Sequence, residues 1–159
     1  SAITKASNHI YISTPYFLPN EALLTAIKVA SLGGVDVRLM LPFRSDSKTV
    51  YWATRSYITE LMEAGVKVYL YYGGFNHSKL LMIDSNLSSI GSANMDIRSF
   101  EDNFEVSALI YDRQKTIELE NRFLADLEQA TLIRPADWKA RPARHRFYEA
   151  LARLLSPLL

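Results

Sequence analysis

Three short apolar runs, HIYIST at 9–14, VDVRLMLP at 35–42 and VKVYLYY at 66–72, alternate with two stretches of helical character. That order constrains the fold more than any other feature, because strand, helix and strand in succession form a crossover whose strands lie parallel in one sheet. The first helical stretch, EALLTAIKVASL at 21–32, opens after Pro19-Asn20 and stops at Gly33-Gly34. The second covers roughly Thr49 to Ala64, with Gly65 as its stop. Downstream, LLMI, LSSIGSA and FEVSALIY follow one another through short connections, and Asp112 caps a long helix through RQKTIELENRFLADLEQA. The order β-α-β-α-β-β-β-α predicts an α/β fold: a mixed β-sheet flanked by helices, with parallel crossovers first and antiparallel connections later. Ser1 to Ser7 read as the tail of a helix belonging to something longer.

Within the antiparallel part, HSKLLMIDSNLSSIGSAN at 77–94 sets His77, Lys79, Asp84, Gly91, Ser92 and Asn94 in the order H-x-K-x4-D-x6-G-S-x-N. Strand side chains alternate, so His77 and Lys79 are expected on one face of a strand and Ser92 and Asn94 on one face of the next. Asn103 and Glu105 stand at the start of the third strand, again two apart. Side by side, these strand ends gather an imidazole, an ammonium, a hydroxyl, a carboxamide and a carboxylate in one pocket. Such a set can bind and attack a phosphodiester without metal.

Each member has a chemical role in that reading. A neutral imidazole nitrogen of His77 can attack phosphorus and form a covalent intermediate. Lys79, Ser92 and Asn94 would hold the non-bridging oxygens where negative charge develops. Glu105 is expected to accept a hydrogen bond from the far imidazole nitrogen, fixing the tautomer and stabilising the cation. Gly91 and Asn103 complete the set as substrate-binding positions. Asp84 belongs to the catalytic motif, but its odd offset from His77 turns it away, so it is read as a carboxylate that pairs or caps locally.

The motif resembles that of the phospholipase D superfamily. TPYFLPNEAL at 14–23, SDSKTVYWATRSYITELMEAGV at 45–66, GGFNHSK at 73–79 and the terminal RLLSPLL resemble, more narrowly, the C-terminal catalytic half of bacterial cardiolipin synthases. The resemblance implies a phospholipase D-like fold and a phosphatidyl transfer between two phosphatidylglycerol molecules, giving cardiolipin and glycerol through a phosphohistidine. No cofactor is implied, because bond energy is retained in the exchange. Complete members carry two such motifs with facing histidines, and this chain carries one. His9 and His145 lack a lysine two residues on and the rest of the pattern. The implied partner is therefore a missing N-terminal half with the second motif, or a second copy in a symmetric dimer. In the second motif of the family the histidine more often acts as general acid and base, so His77 is nucleophile or acid and base in this reading.

Charge separates the chain into two parts. Residues 1–130 hold 12 basic and 15 acidic side chains, and residues 131–159 hold six and two. The first 133 residues read as the catalytic domain, and 134–159 as a basic amphipathic helical extension packed on it. Phe147, Leu151, Leu154 and Leu155 follow helical spacing, and their face is expected against the domain. With Trp138 and the arginines turned outward, the same extension would meet an anionic membrane surface.

With no cysteine and three widely separated histidines, disulfides, thiol catalysis and a zinc cage are not expected. No apolar run reaches the roughly 18 to 20 residues that span a bilayer. SAITKASNHI has neither the apolar core nor the cleavage pattern of a signal peptide. The expected location is the bacterial cell membrane, as a soluble segment of a longer anchored protein. A homodimeric phosphodiesterase of the same superfamily, nuclease or lipid hydrolase, is the alternative. The slightly acidic first 130 residues disfavour nucleic acid.

Overall fold

The computed structural model describes residues 2–156. Ser1, read above with the N-terminal helix tail, and residues 157–159, read with the C-terminal helix and its RLLSPLL match, lie outside the described residues. The expected helix tail is a single 3-10 turn, Ile3–Lys5. β1 (His9–Ser13) and the short β2 (Phe17–Leu18) lead into α1 (Glu21–Leu32), β3 (Asp36–Pro42), α2 (Lys48–Ser56), α3 (Ile58–Glu63) and β4 (Lys67–Tyr71). β5 (Leu80–Ile83), β6 (Leu87–Gly91), β7 (Met95–Asp96), α4 (Ile97–Glu101), β8 (Ser107–Ile110) and α5 (Arg113–Leu127) follow. The chain then passes through β9 (Ala130–Leu132), α6 (Pro135–Lys139) and α7 (Ala143–Leu155).

The main sheet has the order β8-β6-β5-β1-β3-β4-β9, with β1, β3 and β4 parallel and the remaining pairs antiparallel. The two crossovers are α1 and the α2–α3 segment. Asn20 caps α1 by accepting Leu23 N at 3.0 Å, and Gly34 takes φ +95° as the chain leaves it. The second crossover is two helices, where one was expected. Ser56 Oγ donates to Ala53 O at 2.6 Å and competes with the helix ladder. The break at Tyr57 drives its ring against Phe17, edge to face at 6.1 Å.

Alternation along the strands separates two apolar layers. Ile10, Ile12, Val37, Leu39 and Val68 pack under α1 and α3 with Ile27, Ile58 and Leu61. On the opposite face Tyr11, Met40 and Met82 pack with Phe123 of α5, and the Tyr11 and Phe123 rings stack at 5.2 Å. Burying a side chain of this size stabilises the fold by about 1.5–3 kcal/mol, so the sheet is anchored from both sides.

The C-terminal extension departs from expectation. α7 lies along α2, but through Glu149, Ala152 and Ser156, while Phe147, Leu151, Leu154 and Leu155 are exposed. The cause is Arg141, whose Nε reaches both Glu149 oxygens at 3.1 Å and whose Nη2 reaches Oε2 at 2.7 Å. Arg141 also stacks 4.4 Å over Trp138, and the Trp138 indole donates to Thr59 Oγ1 at 3.0 Å. Trp138 is therefore buried and does not turn outward.

Candidate active site

The parallel strands all end on one edge of the sheet, where open α/β folds form their clefts. β1 ends there at Ser13 and Thr14, and Thr14 Oγ1 donates to Tyr16 O at 2.8 Å, turning the chain into β2. β2 pairs with β7 through Phe17↔Met95 and Leu18↔Asp96. This small parallel ladder, absent from the sequence reading, ties the end of β1 to the segment after β6.

His77 and Lys79 stand in the approach to β5, just before its first residue, and not within the strand as expected. Lys79 Nζ is 3.2 Å from His77 Nδ1, 3.4 Å from Nε2 and 3.1 Å from His77 O. The imidazole is exposed, with Phe75 at 5.4 Å and the edge of Tyr16 at 6.1 Å. Burial pulls the Lys79 ammonium below its ordinary pKa, and the charges of Glu105, Asp96 and Asp46 oppose that pull. Tyr16 donates to both oxygens of Asp46 at 2.7 Å. Burial, then that hydrogen bond, pushes Tyr16 up to about 12.

Ser92 and Asn94 lie beyond the end of β6, in the turn toward β7, and do not share a strand face. Ser92 Oγ accepts Val106 N at 3.1 Å and donates to Glu105 Oε2. Ser99 Oγ donates to Glu105 Oε1 at 3.2 Å and accepts Asn94 N at 3.1 Å. The expected Glu105 bond to the imidazole is thus replaced by bonds to two serines. Those bonds, led by Ser92, outweigh burial and hold the Glu105 carboxyl below its ordinary pKa, with Asn103 and Lys79 contributing. The two hydroxyls reach Glu105 because α4 interrupts the connection between β6 and β8. Asn103 closes that insertion, with its N donating to Arg98 O at 2.8 Å.

Asn94 Oδ1 is the one buried side-chain oxygen or nitrogen among the described residues without a hydrogen-bond partner. An unpaired buried carboxamide oxygen is unfavourable by about 1–3 kcal/mol, so a hydrogen-bond donor brought to it would be stabilising. Lys79, Asn94, Ser89 and Ser107 share a cavity with Leu80, Leu81, Met95 and Phe100. The structure supplies a packing reason for Gly91: a Cβ there would stand 2.2 Å from Val106 O and 2.6 Å from Ser107 Cα.

Asp84 stands apart from this group. It ends β5, five residues beyond Lys79, a span of about 16 Å in extended chain. Its Oδ1 accepts Asn8 N and His9 N at 2.8 Å each, and Oδ2 accepts Ser7 N at 2.7 Å. Burial raises its pKa, but the three backbone bonds outweigh burial and leave it lowered. The same distal end holds His9, 2.7 Å from Glu120 Oε1. His145 is also elsewhere, 5.1 Å from the Trp52 ring. Among the described residues no three His, Asp or Glu side chains converge to hold a metal ion.

Sequence reasoning missed Ser99, Asp96, Tyr16 and Asp46. One signal was present: Asp96-Ile97-Arg98-Ser99 has the spacing of a helix N-cap, and Asp96 Oδ1 accepts Ser99 N at 2.7 Å.

This sheet topology and single-motif site are those of the phospholipase D class. The fold matches Nuc of Salmonella typhimurium, a phospholipase D family member, with TM-score 0.73 at 19% identity over 84% of this chain and 86% of that one. It matches phosphatidylserine synthase of Haemophilus influenzae with TM-score 0.77 at 16% identity, over 99% of this chain and 43% of the other. The chain belongs to the family described as "Cardiolipin synthase, PLD-like domain", which matches residues 1–127. Across 99% of its length it is 52% identical to the cardiolipin synthase of Geobacillus thermodenitrificans and 49% identical to cardiolipin synthase 2 of Bacillus cereus. It spans 31% and 30% of those two proteins.

Proposed function

We propose that this chain is one catalytic half of a cardiolipin synthase that moves a phosphatidyl group between two phosphatidylglycerol molecules at the bacterial membrane. The observation that carries the reading is the Lys79 ammonium within 3.4 Å of both His77 ring nitrogens, with Lys79 sharing a cavity with Asn94, whose Oδ1 is unpaired. The 52% identity across 99% of the chain supports the choice of reaction.

In this reading Lys79 draws the phosphodiester oxygens into place. The one proton of the Ser92 hydroxyl, expected to hold phosphate, is committed to Glu105, and Asn94, expected to do the same, meets a substrate hydroxyl through its unpaired oxygen. Catalysis follows if Lys79 interacts more strongly with the transition state than with bound lipid. Glu105 fixes Ser92 and, through Ser99, Asn94, and its charge acts on Lys79, which stands beside the imidazole. The histidine supplied by the other half attacks phosphorus, with His77 protonating the departing glycerol oxygen. His77 then takes the proton of the incoming phosphatidylglycerol hydroxyl as that oxygen displaces the phosphohistidine. One phosphodiester is broken and one is made.

An exposed apolar edge supports a partner of this kind. Phe104, Val106, Leu109 and Tyr111 are exposed along and beside the edge strand β8, next to Ser92 and Glu105. An open, apolar edge strand of this kind calls for a partner. The test is to combine the purified chain, as wild type and as His77→Ala, with the complementary half and follow phosphatidylglycerol by mass spectrometry. Cardiolipin and glycerol in equal amounts from wild type, and none from the variant, are expected. Phosphatidic acid with no cardiolipin would replace the transferase with a lipid hydrolase.

A further inference from the structure

We propose that the outer face of α7 is a docking surface for an anionic lipid bilayer, resting on the reading above only in that the substrates are membrane lipids. The helix is held to the domain by one side and presents the other. Glu149, Ala152 and Ser156 are buried against α2, and Tyr57 Oη lies 3.1 Å from Ser156 Oγ. At 100° per residue, Phe147, Leu151 and Leu154 fall on the opposite side. Phe147 is 65% exposed and Leu154 77%. Four large apolar side chains, counting Leu155, are thus displayed on a rigid helix.

Charge selects the occupant. Arg144 and Arg146 are exposed and fall on the two flanks of this apolar face, with no carboxylate within ion-pair distance among the described residues. Glu149, the single acid of α7, is taken up by Arg141, and Arg153 turns inward to Glu60 at 3.3 Å and the Tyr57 ring at 3.5 Å. An apolar stripe bordered by free cations, with no exposed acid, matches an anionic headgroup layer over acyl chains. α7 is also geared to the site. Trp52 of α2 packs on Tyr148 and His145 at 5.3 and 5.1 Å, and α2 begins beside Asp46, the acceptor of Tyr16. Docking through α7 would therefore fix the height of His77 above the membrane.

The experiment is co-sedimentation of the 159-residue chain with vesicles of phosphatidylcholine, alone or mixed with phosphatidylserine. Phosphatidylserine supplies negative charge without being the proposed substrate, so this result is independent of turnover. Wild type is expected to pellet with the mixed vesicles and weakly with phosphatidylcholine. Phe147→Ser/Leu154→Ser should lower the partition more than tenfold with an unchanged circular dichroism spectrum. Arg144→Gln and Arg146→Gln should each lower it about fivefold, a loss that salt reproduces. Val106→Ser, on the edge strand, should leave it unchanged. The arginine variants keep the test decisive if the serine pair fails to fold. The proposal is overturned by absent binding, by unchanged binding of both variant classes, or by equal loss in Val106→Ser. Self-association dispersed by Phe147→Ser/Leu154→Ser, without vesicle binding, would instead make the face an interface between copies.

Discussion

Lys79 Nζ lies 3.2 Å from Nδ1 of His77 and donates to the carbonyl oxygen of the same residue at 3.1 Å. The backbone bond fixes the ammonium, and its position beside the ring fixes where a phosphate oxygen sits relative to the imidazole. Lys79→Arg keeps the charge but replaces a compact donor with a planar fork. The expected outcome is a more than tenfold fall in kcat at saturating lipid with the complementary half present, because a misplaced reactant loses the advantage of orientation. A rise in KM alone would mean that Lys79 binds substrate and transition state equally.

Ser99 is a positioning residue in this site, since its hydroxyl links Asn94 N to Glu105 Oε1. Ser99→Ala should lower kcat about tenfold, the worth of roughly one charge-assisted hydrogen bond, with KM little changed. Ser99 is one of the groups holding the Glu105 carboxyl down. Its removal should raise that pKa and move the acidic limb of the pH–rate profile to higher pH. An unshifted profile would leave the Ser99 hydroxyl with only the structural role of accepting Asn94 N.

Parallel crossovers are legible in the sequence because the short, largely apolar strands alternate with helical stretches that stop at Gly33-Gly34 and Gly65. The motif is legible because its residue types and spacing are unusual together. Glu105 is different. Of its two serine partners, Ser99 comes from α4, five residues long and too short to print a periodicity. α7 illustrates a second limit: an apolar stripe identifies a face without saying what covers it. Arg141 decides the matter by drawing Glu149 inward, and that pairing depends on how α6 places Trp138.

The Arg141–Glu149 pair therefore controls how α7 is held. Both side chains are largely buried, 15% and 5% exposed. Removing one charge strands the other in a poorly solvated position. Glu149→Ala is expected to destabilise the chain by about 3 kcal/mol, read as a lower denaturation midpoint. The double substitution Arg141→Met/Glu149→Leu should recover part of that loss. No recovery would show that packing around the pair, and not the stranded charge, sets the effect.

Asp84 gives a pH dependence with a definite sign. Its folded pKa lies below the ordinary 3.8, so the unfolded chain takes up the proton first as pH falls. The stability it contributes is present above about 3.8 and is lost as pH drops through the folded value. Asp84→Asn should lower stability at pH 7 by about 2 kcal/mol and flatten the acid side of the stability curve. Denaturation midpoints measured from pH 7 to pH 3 would check this. Equal acid sensitivity in both proteins would remove Asp84 as the source.

The chain alone is expected to fold but to turn over no phosphatidylglycerol. Folding follows from the two apolar layers, which are completed by α1, α3 and α5 within this sequence. Inactivity follows from the count of histidines at the site, since His77 stands there while His9 and His145 are tied to Glu120 and Trp52 elsewhere. A double displacement needs a nucleophile on one side of phosphorus and an acid on the other. One imidazole does not supply both in the same step. A cooperative thermal transition with no cardiolipin formed is the expected result, and added complementary half should restore product. Turnover by the chain alone, rising with the square of its concentration and abolished by His77→Ala, would mean that two copies bring their His77 side chains together and that the active form is a homodimer.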